Sequence, residues 1–142
     1  MINLVRYAAA AAVGAAAAGS VAFAQMPAKP PRAVVTLYRA APGQQVALVH
    51  WLADQDRIAA AAGVAGPTQL YVHTDGDSWD FMTVRPATSP AQDDAIDAAA
   101  RKMGLPSGPR VGLELRKYLA SHTDTYTIGP ITPVQYLAAV GS

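Results

Sequence analysis

The sequence predicts an α+β fold, a four-stranded sheet with helices packed on one face in the split β-α-β arrangement. Three observations carry this. Arg32 to Arg39 alternates with period two and is rich in β-branched residues, which argues a strand. Gln44 to Ala62 repeats its apolar residues at the helical period. Thr68 to Thr74 and Trp79 to Arg85 flank Asp75-Gly76-Asp77-Ser78, the clearest hairpin signal in the chain. Helices separating strands, two of which pair as a hairpin, give a sandwich of one sheet and one helical layer.

The chain opens with a segment that belongs to targeting rather than to the fold. Met1 to Tyr7 carries one base, Arg6, and no acid. Ala8 to Ala17 is unbroken Ala, Val and Gly, and Ala22-Phe23-Ala24 places small residues two apart. These are the parts of a secretory signal, residues 1–24, with cleavage expected before Gln25 and a periplasmic or secreted mature protein. The apolar stretch is interrupted by Gly14, Gly19 and Ser20, unlike a spanning helix, so no stable membrane association is expected after cleavage. A lipid anchor is excluded because the chain has no cysteine to acylate.

Cleavage leaves about 118 residues, enough for one core. Residues 25–33 form an arm held extended by Pro27, Pro30 and Pro31 and expected to be disordered; residues 34–142 form a single domain. Arg6 is the only charge lost with the leader, so the mature chain balances ten Lys and Arg against ten Asp and Glu. A neutral, mixed-sign surface argues against nucleic acid as a partner. The lack of cysteine rules out disulfides, thiolate zinc sites and Fe–S clusters.

The elements follow in order. In the first strand, Ala33, Val35 and Leu37 occupy one face and Val34, Thr36 and Tyr38 the other; Pro42-Gly43 ends it. In the first helix Leu48, Trp51, Leu52, Ile58, Ala59 and Ala62 make the core stripe, while His50, Asp54 and Arg57 share the opposite, solvated face. Gly63 stops the helix. After the hairpin, Ser89-Pro90-Ala91-Gln92 combines a cap, a first-turn proline and a residue that bonds back to the cap. Ile96, Ala99 and Met103 face inward from that second helix. Val111 to Ser121 reads as an extra helix, Thr123 to Ile128 as the last strand, and Thr132-Pro133-Val134-Gln135 repeats the capping pattern before a short terminal helix.

The order β-α-β-β-α-β, with Val34 to Arg39, the hairpin around Asp75-Gly76 and Thr123 to Ile128 as strands, resembles the dimeric α/β-barrel superfamily. Its members include antibiotic-biosynthesis-monooxygenase-like and related ferredoxin-like proteins. The resemblance covers Val34 to about Ile128 and lies in topology rather than in a motif; the extra helix departs from the minimal pattern. It implies a ferredoxin-like sandwich and a homodimer whose two sheets cover each other. The superfamily holds oxygenases, isomerases, haem enzymes and plain binding proteins, so the resemblance selects no reaction and no cofactor, and no catalytic residue is carried over from it.

The candidate site comes from the hairpin. If the helices cover Val35, Leu37, Leu70, Val72, Trp79 and Phe81, the other side presents Tyr38, Tyr71, His73, Asp80 and Met82. With the turn centred on Gly76-Asp77, His73 stands opposite Asp80, where a carboxylate would favour imidazolium. These five residues are the expected ligand-binding set, holding a small, partly apolar ligand between two sheets. Two alternatives stand beside this. One is a cofactor-independent oxygenase or isomerase with His73 as general base oriented by Asp80. The other is a non-catalytic interaction protein whose sheet docks a partner. His122 and Asp124 repeat the spelling of His73 and Asp75, but the spacing is not a ligand pattern and no metal site is expected; His122 is read as sitting where the extra helix ends. Gly63-Val64-Ala65-Gly66 lacks the spacing of a phosphate loop.

Overall fold

The structure is a computed structural model that describes residues 31–64 and 66–141. The expected signal and most of the expected arm lie outside the described residues. The described residues form β1 (Arg32–Ala40), α1 (Gln45–Ala61), β2 (Gln69–Val72), β3 (Phe81–Pro86), α2 (Pro90–Lys102), α3 (Pro109–Leu115), β4 (Leu119–Ile128) and α4 (Pro133–Val140). The four strands make one antiparallel sheet in the order β2-β3-β1-β4. With α1 crossing over between β1 and β2, and α2 with α3 between β3 and β4, this is the ferredoxin-like arrangement. β1 begins at Arg32, within the stretch counted above with the arm.

The register fixes which side chains share a face. Tyr38 pairs with Phe81, Thr36 with Thr83 and Val34 with Arg85; Leu37 pairs with Met82 and Val35 with Val84. Tyr38, Ala40 and Phe81 are buried in one cluster with Leu48 of α1, with Trp51, Leu52, Leu115 and Tyr118 packed around them. The even-numbered residues of β1 therefore face the helices, since successive side chains of a strand alternate. This corrects the expected phase of β1: Val35 and Leu37 lie on the open face, and Tyr38 lies in the core. The physical reason is that β1 is apolar on both faces, so period two alone cannot orient it. The one polar residue in its middle, Thr36, points inward and is only 3% exposed. In β3 the expected phase holds, with Phe81 inward and Met82 on the open face.

The helical layer is closed by small residues. Ile58 of α1 is buried against Ala99 and Ala100 of α2, with Ala62, Ile96 and Leu105 around them. Met103, expected inward, is 41% exposed; it is the C-cap residue, past the end of α2. Both expected capping boxes form, Ser89 with Gln92 and Thr132 with Gln135.

The extra helix is shorter than expected. α3 stops at Leu115, a turn spans residues 116–118, and β4 begins at Leu119 rather than Thr123. Sheet pairing wins over this stretch: Leu119 pairs with Ala40, and the Ala41 N–H donates to the Tyr118 carbonyl at 2.9 Å. Gly112 within α3 lowers the helix propensity that would have opposed it. His122 consequently stands in mid-strand, not at a helix end.

Candidate functional site

Beside the buried cluster of Tyr38, Ala40 and Phe81, the inward face of the sheet carries a polar patch. Thr36 and Tyr38 of β1, Thr83 and Arg85 of β3 and His122 and Asp124 of β4 all line a cavity of about 290 Å³ beneath the helices. Its other wall comes from all three overlying helices and is mixed: Trp51 and Leu52 with Gln55 and Asp56 of α1, Ile96 with Asp93 of α2, and Val111 and Leu115 of α3. The volume falls just below the roughly 300–1,000 Å³ usual for small-molecule sites.

Four of these side chains, Thr36, Tyr38, His122 and Asp124, form one linked group. The Thr36 hydroxyl donates to Asp124 Oδ1 at 2.7 Å across the β1–β4 ladder, where the two residues are register partners. The other oxygen of that carboxylate, Oδ2, lies 3.7 Å from His122 Nε2. The imidazole of His122 stacks on the Tyr38 ring, with centroids 6.3 Å apart and planes 19° from parallel. Buried Thr36 thus orients Asp124, Asp124 flanks His122, and Tyr38 supports the ring from below. A histidine placed this way can donate or accept a hydrogen bond, and can exchange a proton with a bound molecule.

The rim of the cavity repeats the threonine–aspartate theme. Asp56 of α1 accepts from the Thr68 backbone N–H at 3.2 Å and its hydroxyl at 2.5 Å, which ties the loop before β2 to the helix. Asp93 of α2 accepts from the Thr88 hydroxyl at 2.5 Å. Gly66, at φ +94°, lets that loop pass close to Pro86: a Cβ there would sit 3.3 Å from the proline Cγ, in a backbone region that side chains disfavour. The ends of the cavity are therefore set by local contacts that do not depend on a ligand.

The five residues expected from sequence are divided between two faces. Tyr38 lines the cavity, whereas Tyr71 and Met82 are register partners on the open face. His73 and Asp80 do face each other across the hairpin, with the His73 N–H donating to the Asp80 carbonyl at 3.0 Å. Their side chains serve other ends. The Asp80 carboxylate accepts from the Ala40 N–H at 2.8 Å and closes the end of β1. The His73 ring packs on Trp79 at 4.6 Å between centroids, and its Nε2 is buried without a hydrogen-bond partner. The sequence reading missed Thr36, Thr83 and the pairing of His122 with Asp124 toward one space. The signal was present in the i, i+2 spacing of His122 and Asp124, which puts both on one face of a strand; reading His122 as a helix end obscured it.

A second hollow, of about 380 Å³, lies between α1 and the segment around α3, lined by His50, Asp54, Glu114 and Tyr118 among others. Its acids are already paired. Arg57 bonds Asp54, and Glu114 accepts from Lys117 Nζ at 2.7 Å and the Tyr118 hydroxyl at 3.0 Å. The Lys117 bond, with that from Tyr118, holds the Glu114 carboxyl below its usual range. The same bonds raise the Lys117 ammonium and the Tyr118 phenol above theirs. Among the described residues no group of three or more His, Asp or Glu is placed to hold a metal ion.

The fold and its inward polar patch define a ferredoxin-like α+β domain with a cavity between sheet and helices. No protein-family model matches the chain, and no curated protein does. Among solved structures, it is similar to a dimeric protein of unknown function and ferredoxin-like fold from Bacteroides fragilis NCTC 9343, with 10% identity over 69% of this chain and 95% of that one, at a TM-score of 0.45. A likeness this distant says nothing of ligand, partner or reaction.

Proposed function

We propose that this protein is an exported, homodimeric small-molecule-binding domain whose ligand sits between the inward face of the sheet and α1, α2 and α3. The observation that carries the reading is a polar patch on the helix-covered face of the sheet. Beside the buried core of Tyr38, Ala40 and Phe81, that face gathers Thr36, Thr83, Arg85, His122 and Asp124 around a cavity, while the open face presents Val35, Leu37, Met82 and Val84 together with Thr123 and Thr125. Placing polar groups under the helices costs stability unless they are bonded, which a core alone does not require. Polar groups inward fit a ligand; apolar groups outward fit a second copy. The ligand suited to such walls is small and amphipathic, with hydrogen-bonding groups toward Thr83, His122 and Asp124 and an apolar body toward Trp51, Ile96 and Leu115. Export rests on Arg6, the Ala-rich stretch and Ala22-Phe23-Ala24.

Native mass spectrometry of the protein recovered from a bacterial periplasm tests the binding. The expected result is a bound small molecule on the parent chain. Thr83→Leu fills the cavity from the sheet side and is expected to lower its occupancy at least tenfold with circular dichroism unchanged. Retention of the same molecule at full occupancy by Thr83→Leu would overturn the location.

A further inference from the structure

We infer that the cavity takes an organic cation, a small protonated amine with an apolar body, whose ammonium group pairs with Asp124. The inference rests on the cavity reading above and goes beyond it in fixing the charge of the ligand.

The floor of the cavity resolves into donors and acceptors. Thr83, Thr36 and Asp124 form one row of register partners across β3, β1 and β4. A threonine hydroxyl has a single proton to give. Thr36 gives its proton to Asp124 Oδ1, so it offers a ligand only lone pairs. An ionised carboxylate only accepts, and among the described residues the nearest partner of Asp124 Oδ2 is His122 Nε2 at 3.7 Å. This end of the row therefore presents a negative charge and free lone pairs. The N–H groups of a cation satisfy both, in the stronger class of hydrogen bond.

Thr83 points to a ligand independently. The residue is 1% exposed and lines the cavity, and its hydroxyl has no hydrogen-bond partner among the described residues. Burying a hydroxyl without a partner costs stability, which an apolar side chain at the same place would avoid. A polar atom of the ligand beside Thr83 offsets that cost.

Charge over the whole lining has the same sign. Asp56, Asp93 and Asp124 contribute three carboxylates against the one guanidinium of Arg85. Arg85 also stands apart from Asp124, two strands away and in the next inward row, with Val34 and Tyr126. A strand spacing of about 4.8 Å and a rise of about 3.3 Å per residue put their Cα atoms roughly 12 Å apart. A cation on Asp124 meets the guanidinium only across that distance, whereas an anion on Arg85 meets three carboxylates in one lining. The opposite wall suits the body of such a molecule. Leu52, Ile96 and Leu115 are apolar, and the Trp51 ring offers a face of the kind that attracts organic cations. A volume of about 290 Å³ admits one ring with a short chain.

Three probes of nearly one shape test the sign of the charge: phenethylamine, phenethyl alcohol and phenylpropionate. Each is titrated calorimetrically at neutral pH into the full mature chain, refolded to strip any retained molecule, and into Asp124→Asn, Arg85→Gln and Thr83→Leu. The amine is expected to bind at least tenfold tighter than the alcohol, and the acid weakest. Asp124→Asn should weaken the amine at least tenfold, Arg85→Gln should tighten it, and Thr83→Leu should abolish it, all with circular dichroism unchanged. Tightest binding by phenylpropionate, weakened by Arg85→Gln, overturns the cation and leaves the cavity reading standing. So does equal binding of all three that only Thr83→Leu removes. Amine binding that Asp124→Asn leaves at full strength overturns the role of Asp124, and binding of none of the three overturns the inference. The cavity reading itself falls only if the molecule retained from the periplasm is indifferent to Thr83→Leu.

Discussion

Replacing Thr36 by Val removes one hydroxyl and almost nothing else, since the two side chains have nearly the same shape. That hydroxyl is the donor to Asp124 Oδ1 at 2.7 Å, from a residue only 3% exposed. A hydrogen bond to a charged group contributes about 1.5–3 kcal/mol. The Asp124 side chain is 50% exposed, so water replaces part of the lost bond. Burying a methyl in place of a hydroxyl offsets a further part. The net expectation is a loss of about 1 kcal/mol in urea unfolding, with the slope of the transition unchanged. A double-mutant cycle with Asp124→Asn isolates the pair, and a coupling of about 0.5–1.5 kcal/mol is expected for residues in direct contact. Ligand occupancy should fall in Thr36→Val as well, because Asp124 loses the partner that orients it. A neutral or stabilising Thr36→Val, with coupling below about 0.3 kcal/mol, would refute the claim that Thr36 holds Asp124 toward the cavity.

Three further outcomes can be measured independently. Leu48, fully buried at 0% exposure, anchors α1 to Tyr38 and Phe81, and Leu48→Ala is expected to cost about 2.7–5 kcal/mol, enough to unfold much of a marginally stable domain at elevated temperature. Tyr118 keeps its proton to higher pH than an ordinary tyrosine because it donates to Glu114. Its share of stability is therefore full below the unfolded tyrosine range and lost as pH rises through the raised folded value; a spectroscopic alkaline titration should find the Tyr118 phenol titrating at lower pH in Glu114→Gln than in the parent. Terminal sequencing of the exported protein should begin at Gln25 or within a residue or two, and an intact Met1 on the soluble cytosolic form would contradict export.

Local chemistry was the legible part of this chain. The two capping boxes, the hairpin centred between Gly76 and Asp77, and the burial of Leu48 and Ile58 follow from short-range rules that tertiary context did not override. From these the strand and helix order, and with it the ferredoxin-like topology, could be read. The orientation of β1 could not. Ala33 to Tyr38 offers apolar residues on both faces, and treating Thr36 as a solvent-side residue is the ordinary inference. It fails here because the cavity, not water, receives that face. The same error split the candidate site, since Tyr38 changed sides while Tyr71 and Met82 did not. The length of α3 was illegible for a different reason: Leu119 to His122 fits either a helix end or a strand start, and only pairing with Tyr38 to Ala40, some 80 residues earlier, decides between them.

The most direct test of the account is a crystal structure of the protein purified, without added ligand, from a periplasm in which it retains its small molecule. Density in contact with Thr83, His122 and Asp124, enclosed by Trp51 and Leu115, is the predicted result. Density between two sheets, against Tyr71 and Met82 with the inward cavity empty, would contradict it.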